Sequence, residues 1–420
     1  MNEQRTASAA PPRSAHLDSP IARRLARPGP KRILSLDGGG ARGIITLTFL
    51  SAIERQLRNA FDKPDLVLAD YFDLIGGTSV GAMIATLLAL GKNVDHIFDR
   101  FQRWAPRIFE PSAWGWLSPR FDARRLRGFV QSEVLDWAMR SDRLRTGLCI
   151  VTKRLDTGSV WPVTNNPGDP YFLTRPARGN APARIGNGDY KLLDLIRAST
   201  AAPSYFSPTH IRIFDGPDHG LFVDGAVSPH NNPALQLFML AGISGYNLGV
   251  ADIHNPDPAL REAPRAWALG ADKLLIVSVG TGAYEYRVKE SGAAAWDAIN
   301  ALQGMVSDGQ ELALTLLQWM SAPPLRWSVD RVIGDLSRDC LGRNEGLTQP
   351  LLSFQRYDVP LERQWLGENL ARIFTEEQLQ EIRDFTSTRH LKTLAELSQA
   401  AAERQVRKEH FAAPFHSLWA

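Results

Sequence analysis

The 420-residue chain predicts an α/β domain built on a mostly parallel sheet with helices on both faces. Three observations carry that prediction. Short apolar runs alternate along the chain with longer stretches of helical period. Several of those runs, "LLIVSV" among them, are continuously apolar, as strands covered on both faces are. Two runs feed straight into a glycine-rich turn and then a helix.

The elements follow in order. Residues 1–30 are rich in Ala, Pro and Ser. Through residue 32 the chain carries Arg5, Arg13, Arg23, Arg24, Arg27, Lys31 and Arg32 against Glu3 and Asp18, seven minus two, or +5. Such a segment is expected to be a solvated, disordered tail. Attraction to anionic headgroups, about 1 kcal/mol per basic residue, is the sharper reading. Ile33, Leu34 and Leu36 then form a short strand, followed by three glycines. Ile44, Leu47, Leu50, Ile53 and Leu57 recur at the helical period. "YFDLIGGTSVGAMIATLLAL" repeats this grammar: a buried strand over Phe72–Ile75, a turn holding Ser79, and a helix apolar nearly all round, capped at Gly91.

"LCIVTKRL" and "SVWPVTNN" form two strands joined by "DTGS". "YKLLDLIRASTAA" is helical until Pro203. "GLFVDGA" is a strand, with a helix starting beyond Pro233, and "DKLLIVSVGTG" is one more strand. Past about residue 285 helical patterns dominate, with "LLSFQRYDVPLE" as a late strand candidate. The expected organisation is a tail over 1–30, an α/β domain over 31–285, and a mainly helical region over 286–420 packed on it.

The net charge is only +3, so charge gives no case for a nucleic-acid polymer as partner. Two cysteines, Cys149 and Cys340, make neither a disulfide framework nor a zinc set and fit a reducing compartment. No apolar signal core follows the basic N-terminus. The longest apolar run, Val80–Leu90, is well short of the ~20 residues a spanning helix needs. A soluble, cytoplasmic protein is expected.

Three short motifs carry the chemistry. Gly38-Gly39-Gly40-Ala41-Arg42-Gly43 fits G-x-G-x-x-G between a strand and a helix. It reads as a dinucleotide loop with Asp70 as ribose acid, as a tight packing turn, or as an oxyanion cradle. Glycines without Cβ let N–H groups converge on an anion, and the following helix adds its positive end. Arg42 either holds the loop or adds positive field; a surface ion pair is the plain alternative. Gly77-Thr78-Ser79-Val80-Gly81 fits G-x-S-x-G, in which a sharp strand-to-helix turn presents a serine Oγ as nucleophile. Asp224-Gly225-Ala226 ends a strand, as an Asx-turn or as a general base.

A serine nucleophile needs a base. Nine histidines are available, and His230 and His254 follow Asp224, so a Ser–Asp–His triad stays open. The alternative is a Ser–Asp dyad, in which partial burial raises the aspartate's pKa and makes it a better base.

Together, "DGGGARG" (Asp37–Gly43), "GTSVG" (Gly77–Gly81) and "DGA" (Asp224–Ala226) resemble the patatin-like phospholipase family, with "RASTAAPSYFSP", "NNPA" and "VSVGTG" also familial. The resemblance covers about residues 31–285. It implies a three-layer α/β sandwich with Ser79 as nucleophile and Asp224 as proton acceptor. Gly38, Gly39 and Gly40 would form the oxyanion hole, with Arg42 nearby and Gly43, Gly77, Gly81, Gly225 and Ala226 as motif positions. It implies hydrolysis of acyl chains from phospholipids or related lipids, with no metal or cofactor. Transient membrane contact, an activating ligand or protein such as a signalling nucleotide, and a homo-oligomer are compatible with it. Trp104, Trp114, Trp116 and Phe121 among Arg120, Arg124, Arg125 and Arg127 have interfacial character, although core packing of the aromatics is the favoured reading. The rival functions are a nucleotide-binding oxidoreductase and a non-catalytic patatin-fold binding module.

Overall fold

The computed structural model describes residues 19–111, 120–177, 179, 182–216, 219–243, 266–285, 294–323 and 349–418. Its first element corrects an expectation. Residues 20–26, assigned to the tail by composition, form helix α1 (Pro20–Ala26). Pro20 starts it, the Ser19 side chain caps the Ala22 N–H at 3.2 Å, and Ile21, Ala22 and Leu25 are buried. Three apolar residues among arginines are enough to fasten a short helix, a pattern that average composition hides. Arg24 turns inward as well, donating to Phe72 O at 3.0 Å and Arg145 O at 2.7 Å.

Two strand–turn–helix units come next, as predicted: β1 (Lys31–Leu36) into α2 (Gly43–Phe61), then β2 (Leu74–Thr78) into α3 (Val80–Ala89). Every residue of α3 is buried, as its all-round apolarity requires. Helices α4 (Val94–Ile108) and α5 (Ala123–Val134) precede the hairpin of β3 (Gly147–Arg154) and β4 (Val160–Thr164). Helix α6 (Leu192–Ser199) ends three residues before the predicted limit at Ala202. Then follow β5 (Thr209–Arg212), an edge strand too short to be read from the sequence, β6 (His219–Asp224), α7 (Ala234–Gly242) and β7 (Leu274–Val279). The C-terminal part holds α8 (Ala294–Trp319), β8 (Ser353–Tyr357), α9 (Arg363–Leu370), α10 (Glu376–Arg383) and α11 (Leu391–Gln405).

The eight strands form one sheet in the order β5-β6-β3-β2-β1-β7-β8, with β4 beside β3. The run from β3 to β8 is parallel, and β4, β5 and β6 pair antiparallel. The sheet is therefore mixed and mostly parallel. Its parallel strands are buried along their whole central length, as strands between two helical layers must be.

The 286–420 region is more than helical material laid on the sheet. Strand β8 extends the sheet in register, Leu275 opposite Ser353 through Val279 opposite Tyr357. Helix α11 packs on α2. Phe411 and Phe415 are buried, and the Tyr71 hydroxyl donates to Phe415 O at 3.1 Å. Among the described residues no helix is long and apolar enough to cross a membrane.

Register also sets the stage for the site. Thr78 at the end of β2 stands opposite Val151 of β3, and the next β3 residue, Thr152, stands opposite Asp224 of β6. Ser79 and Asp224 thus reach the same level on the two strands flanking β3, above the ends of the parallel strands, where open α/β sheets bind ligands.

Candidate active site

Ser79 occupies a one-residue junction between β2 and α3, with φ 55° and ψ −125°. A side chain rarely adopts this backbone conformation, and its cost is on the order of 1–3 kcal/mol. The neighbouring glycines make the turn feasible. A Cβ on Gly77 would lie 2.2 Å from the Gly81 carbonyl, and one on Gly81 would lie 2.3 Å from Leu36 O. The G-x-S-x-G spacing is therefore a steric demand of backbone passing backbone.

The Ser79 Oγ donates to Asp224 Oδ2 at 2.6 Å. Asp224 Oδ1 accepts the Ala226 N–H at 2.8 Å, so both carboxylate oxygens have fixed partners. The tight turn behind Asp224 needs Gly225, where a Cβ would meet Val151 O at 2.5 Å. Burial raises the Asp224 carboxyl to about 7, even with the hydrogen bonds from Ser79 and Ala226 pulling the other way. A carboxylate of that pKa can accept a proton near neutral pH.

His230 is not brought into this pair. Its carbonyl accepts the Thr78 hydroxyl at 2.7 Å, its Nδ1 is buried without a partner, and burial lowers its pKa. His254, Trp114 and Trp116 lie outside the described residues. Among the described residues neither Ser79 nor Asp224 hydrogen-bonds an imidazole.

The three loop glycines are not equivalent. The Gly38 N–H, expected among the oxyanion donors, is already used by Asn231 O at 3.1 Å. Ala41 and Arg42 N–H groups donate to Phe385 O at 2.7 Å and Gly39 O at 3.1 Å. Among the described residues the Gly39 and Gly40 amides have no such acceptor, and both residues are partly exposed in the cleft. Gly40 needs to be glycine: its φ is +57°, and a Cβ there would lie 2.4 Å from Phe385 O. Arg42 is buried; it donates to Gly282 O at 3.3 Å and stacks on Tyr284 at 5.2 Å, so it holds the neighbouring turn.

Sequence reasoning missed several supports. Ser199, buried at the end of α6, accepts the Ser79 N–H at 2.9 Å and donates to Val151 O at 2.6 Å, fixing the Ser79 turn from behind. Its only signal was a place within "RASTAAPSYFSP". Thr281 donates to Gly38 O at 2.9 Å. Asp37 pairs with Arg356, far beyond the region the resemblance covered.

Ser79, Asp224 and the glycine loop line one cleft of about 910 Å³, at the upper end of small-molecule site sizes. One wall is apolar: Met83, Phe101, Ile108, Phe121, Leu126 and Phe206. The expectation that the aromatics pack inward holds for Phe121, which is buried, and for Trp104, which lies against Phe129 at 5.5 Å. Arg120, Arg124, Arg125 and Arg127 are exposed.

The dinucleotide reading lacks its acid. Asp70 bonds the Val67 N–H and pairs with Arg145 before β2 begins, at the opposite end of the parallel strands from the glycine loop. Among the described residues no three His, Cys, Asp or Glu side chains converge as a metal would require.

Comparison with known proteins agrees with the geometry. The patatin-like phospholipase profile matches residues 34–238. Patatin-17 of Solanum cardiophyllum is 30% identical over 283 residues, 64% of this chain and 65% of that protein. A cGAMP-activated phospholipase of Vibrio cholerae is 30% identical over 319 residues, 73% of this chain and 76% of that protein. The chain thus spans just under two thirds of the first relative and about three quarters of the second. Human GIVD cytosolic phospholipase A2 superposes with a TM-score of 0.36 at 10% identity, covering 89% of this chain and 60% of that one, too loosely to set any residue correspondence. On the strength of the aligned sequences, the chain belongs to the patatin-like phospholipase family.

Proposed function

We propose that this protein hydrolyses ester-linked acyl chains of phospholipids by acyl transfer through Ser79, with Asp224 as base. The observation that carries the reading is the 2.6 Å hydrogen bond from Ser79 Oγ to a buried carboxylate, at the foot of an apolar cleft. Asp224 takes the Ser79 proton as Oγ attacks the ester carbonyl. The carbonyl π electrons move onto oxygen, where the Gly39 and Gly40 amides receive them. The intermediate collapses, the C–O bond to the leaving group breaks, and Asp224 returns the proton to the departing lysolipid oxygen. Water, deprotonated by Asp224, then attacks the acyl-serine; the C–Oγ bond breaks, the fatty acid leaves, and Asp224 returns the proton to Ser79 Oγ.

An acyl chain fits the apolar lining contributed by α3, α4, α5 and the loops holding Phe121 and Phe206, and a lipid substrate implies transient contact with a membrane surface. Because the Vibrio cholerae relative is named for activation by cGAMP, a cyclic dinucleotide is the first activator to try.

The test uses mixed phospholipid vesicles, with and without cGAMP. Ser79→Ala and Asp224→Ala are expected to be inactive, and His230→Ala to keep its rate. A fluorophosphonate should label the wild type at Ser79. An equally dead His230→Ala sinks the dyad. Absence of both labelling and fatty-acid release from the wild type sinks the whole reading.

A further inference from the structure

Gly38, Gly39 and Gly40 have no side chains with which to hold themselves, so their position is imposed by their neighbours. Asp37, directly before Gly38, is buried, and both its oxygens are taken by Arg356 of β8: Nη1 to Oδ1 at 3.0 Å and Nη2 to Oδ2 at 2.7 Å. The same guanidinium donates to Ser278 Oγ at 2.8 Å and to Asp358 Oδ2 at 2.7 Å. Asp358 Oδ1 accepts the Gly282 N–H at 2.7 Å. One buried fork therefore ties together the end of β1, the end of β7 and the 280–282 turn.

That turn is what the glycine loop leans on. Thr281 donates to Gly38 O, and a Cβ on Gly39 would lie 2.1 Å from Thr281 Oγ1. The loop and its support are thus in contact, and Arg356 grips both.

A buried ion pair is weak evidence for a stability role, since apolar residues of similar volume often serve as well. What a bidentate fork adds is direction, and lysine cannot reproduce it. Direction matters most for the Gly39 and Gly40 amides, two and three residues from Asp37. An oxyanion hole works only if its donors point at the developing charge before it forms.

We propose that Arg356 is a positioning residue that aims the oxyanion loop through Asp37. The inference rests on the Ser79–Asp224 reading above. It makes residues beyond 285, outside the family match, part of the catalytic apparatus.

Misaimed donors weaken the transition state more than the bound substrate, so the loss belongs in kcat and not in KM. The test compares wild type, Arg356→Gln and Arg356→Lys on a soluble p-nitrophenyl ester, with thermal unfolding and fluorophosphonate labelling rates in parallel. Arg356→Gln is expected to lower kcat by about tenfold to a hundredfold, with KM within about twofold of wild type and labelling slowed in step. Arg356→Lys, which keeps the charge and loses the fork, should fall between. A folded Arg356→Gln with wild-type kcat, or with its loss confined to KM, overturns the proposal. If the Gln variant does not fold, the Lys variant decides: wild-type kcat there overturns the proposal equally. A wild type that neither turns over nor labels overturns the parent reading, and this inference with it. An active, labelled wild type matched by its variants overturns this inference alone.

Discussion

The raised pKa of Asp224 links catalysis to stability at the scale of one residue. In its proposed role as base it must be ionised, so kcat/KM should rise with pH through about 7; a flat profile between pH 5 and 8 would contradict this. Stability runs the other way. The folded pKa lies above the ordinary 3.8, so between those values the folded state holds a proton that the unfolded state has released. Wild-type stability therefore declines across that window relative to a variant that cannot ionise, and the penalty is complete above about 7. Asp224→Asn should melt higher than wild type at pH 8, and the gap should shrink as pH falls to 4. A gap independent of pH would show that Asp224 is not buried in its charged form. Ser79 stood out in the sequence by its G-x-S-x-G turn, and Asp224 only through the resemblance of the three motifs together to one family. Ser199 and Arg356 did not, since a buried serine or arginine has no signature until its partners are known.

Glycines provide the sharpest test at the scale of elements, because space around them differs so widely. Gly81 lies where β1 and α3 cross, and a Cβ would sit 2.3 Å from Leu36 O and 2.7 Å from Asp37 O. Neither backbone atom can yield cheaply. Gly81→Ala is expected to cost about 2–3 kcal/mol in urea unfolding and to abolish turnover. Gly128, inside the exposed face of α5, has nothing within 4 Å, so Gly128→Ala should stabilise by about 0.5–1 kcal/mol with activity unchanged. Equal effects at the two sites would refute the crowding argument. Helices α2 and α3 were readable because their apolar periods span many residues. The four-residue β5 and the seven-residue α1 were not, because so few residues carry no statistical weight.

For the whole molecule, the C-terminal part belongs to the fold. Strand β8 completes the sheet, and Leu352, Phe354, Tyr357, Leu394 and Phe411 are buried in the same core as β1 and α2. A fragment ending at residue 285 would expose the edge of β7 and leave Asp37 a buried carboxylate without its guanidinium. It is expected to aggregate or to melt without cooperativity. A soluble 1–285 fragment with a sharp thermal transition would show the C-terminal region to be dispensable.

The sequence by itself determined the alternation of strands and helices and the strained serine turn, because each rests on local spacing; the Ser79–Asp224 pair to seek came from the resemblance of three separated motifs, taken together, to one family. Register and contact decided the rest. The offset of β3 against β2 and β6 brings Ser79 to Asp224 and leaves His230 aside. The crossing of loops decides which glycine amides are free to act. Pairing of β8 with β7 carries Arg356 to a carboxylate 319 positions away. Such meetings depend on how far each strand slides along its neighbour, a quantity that no short stretch of sequence contains.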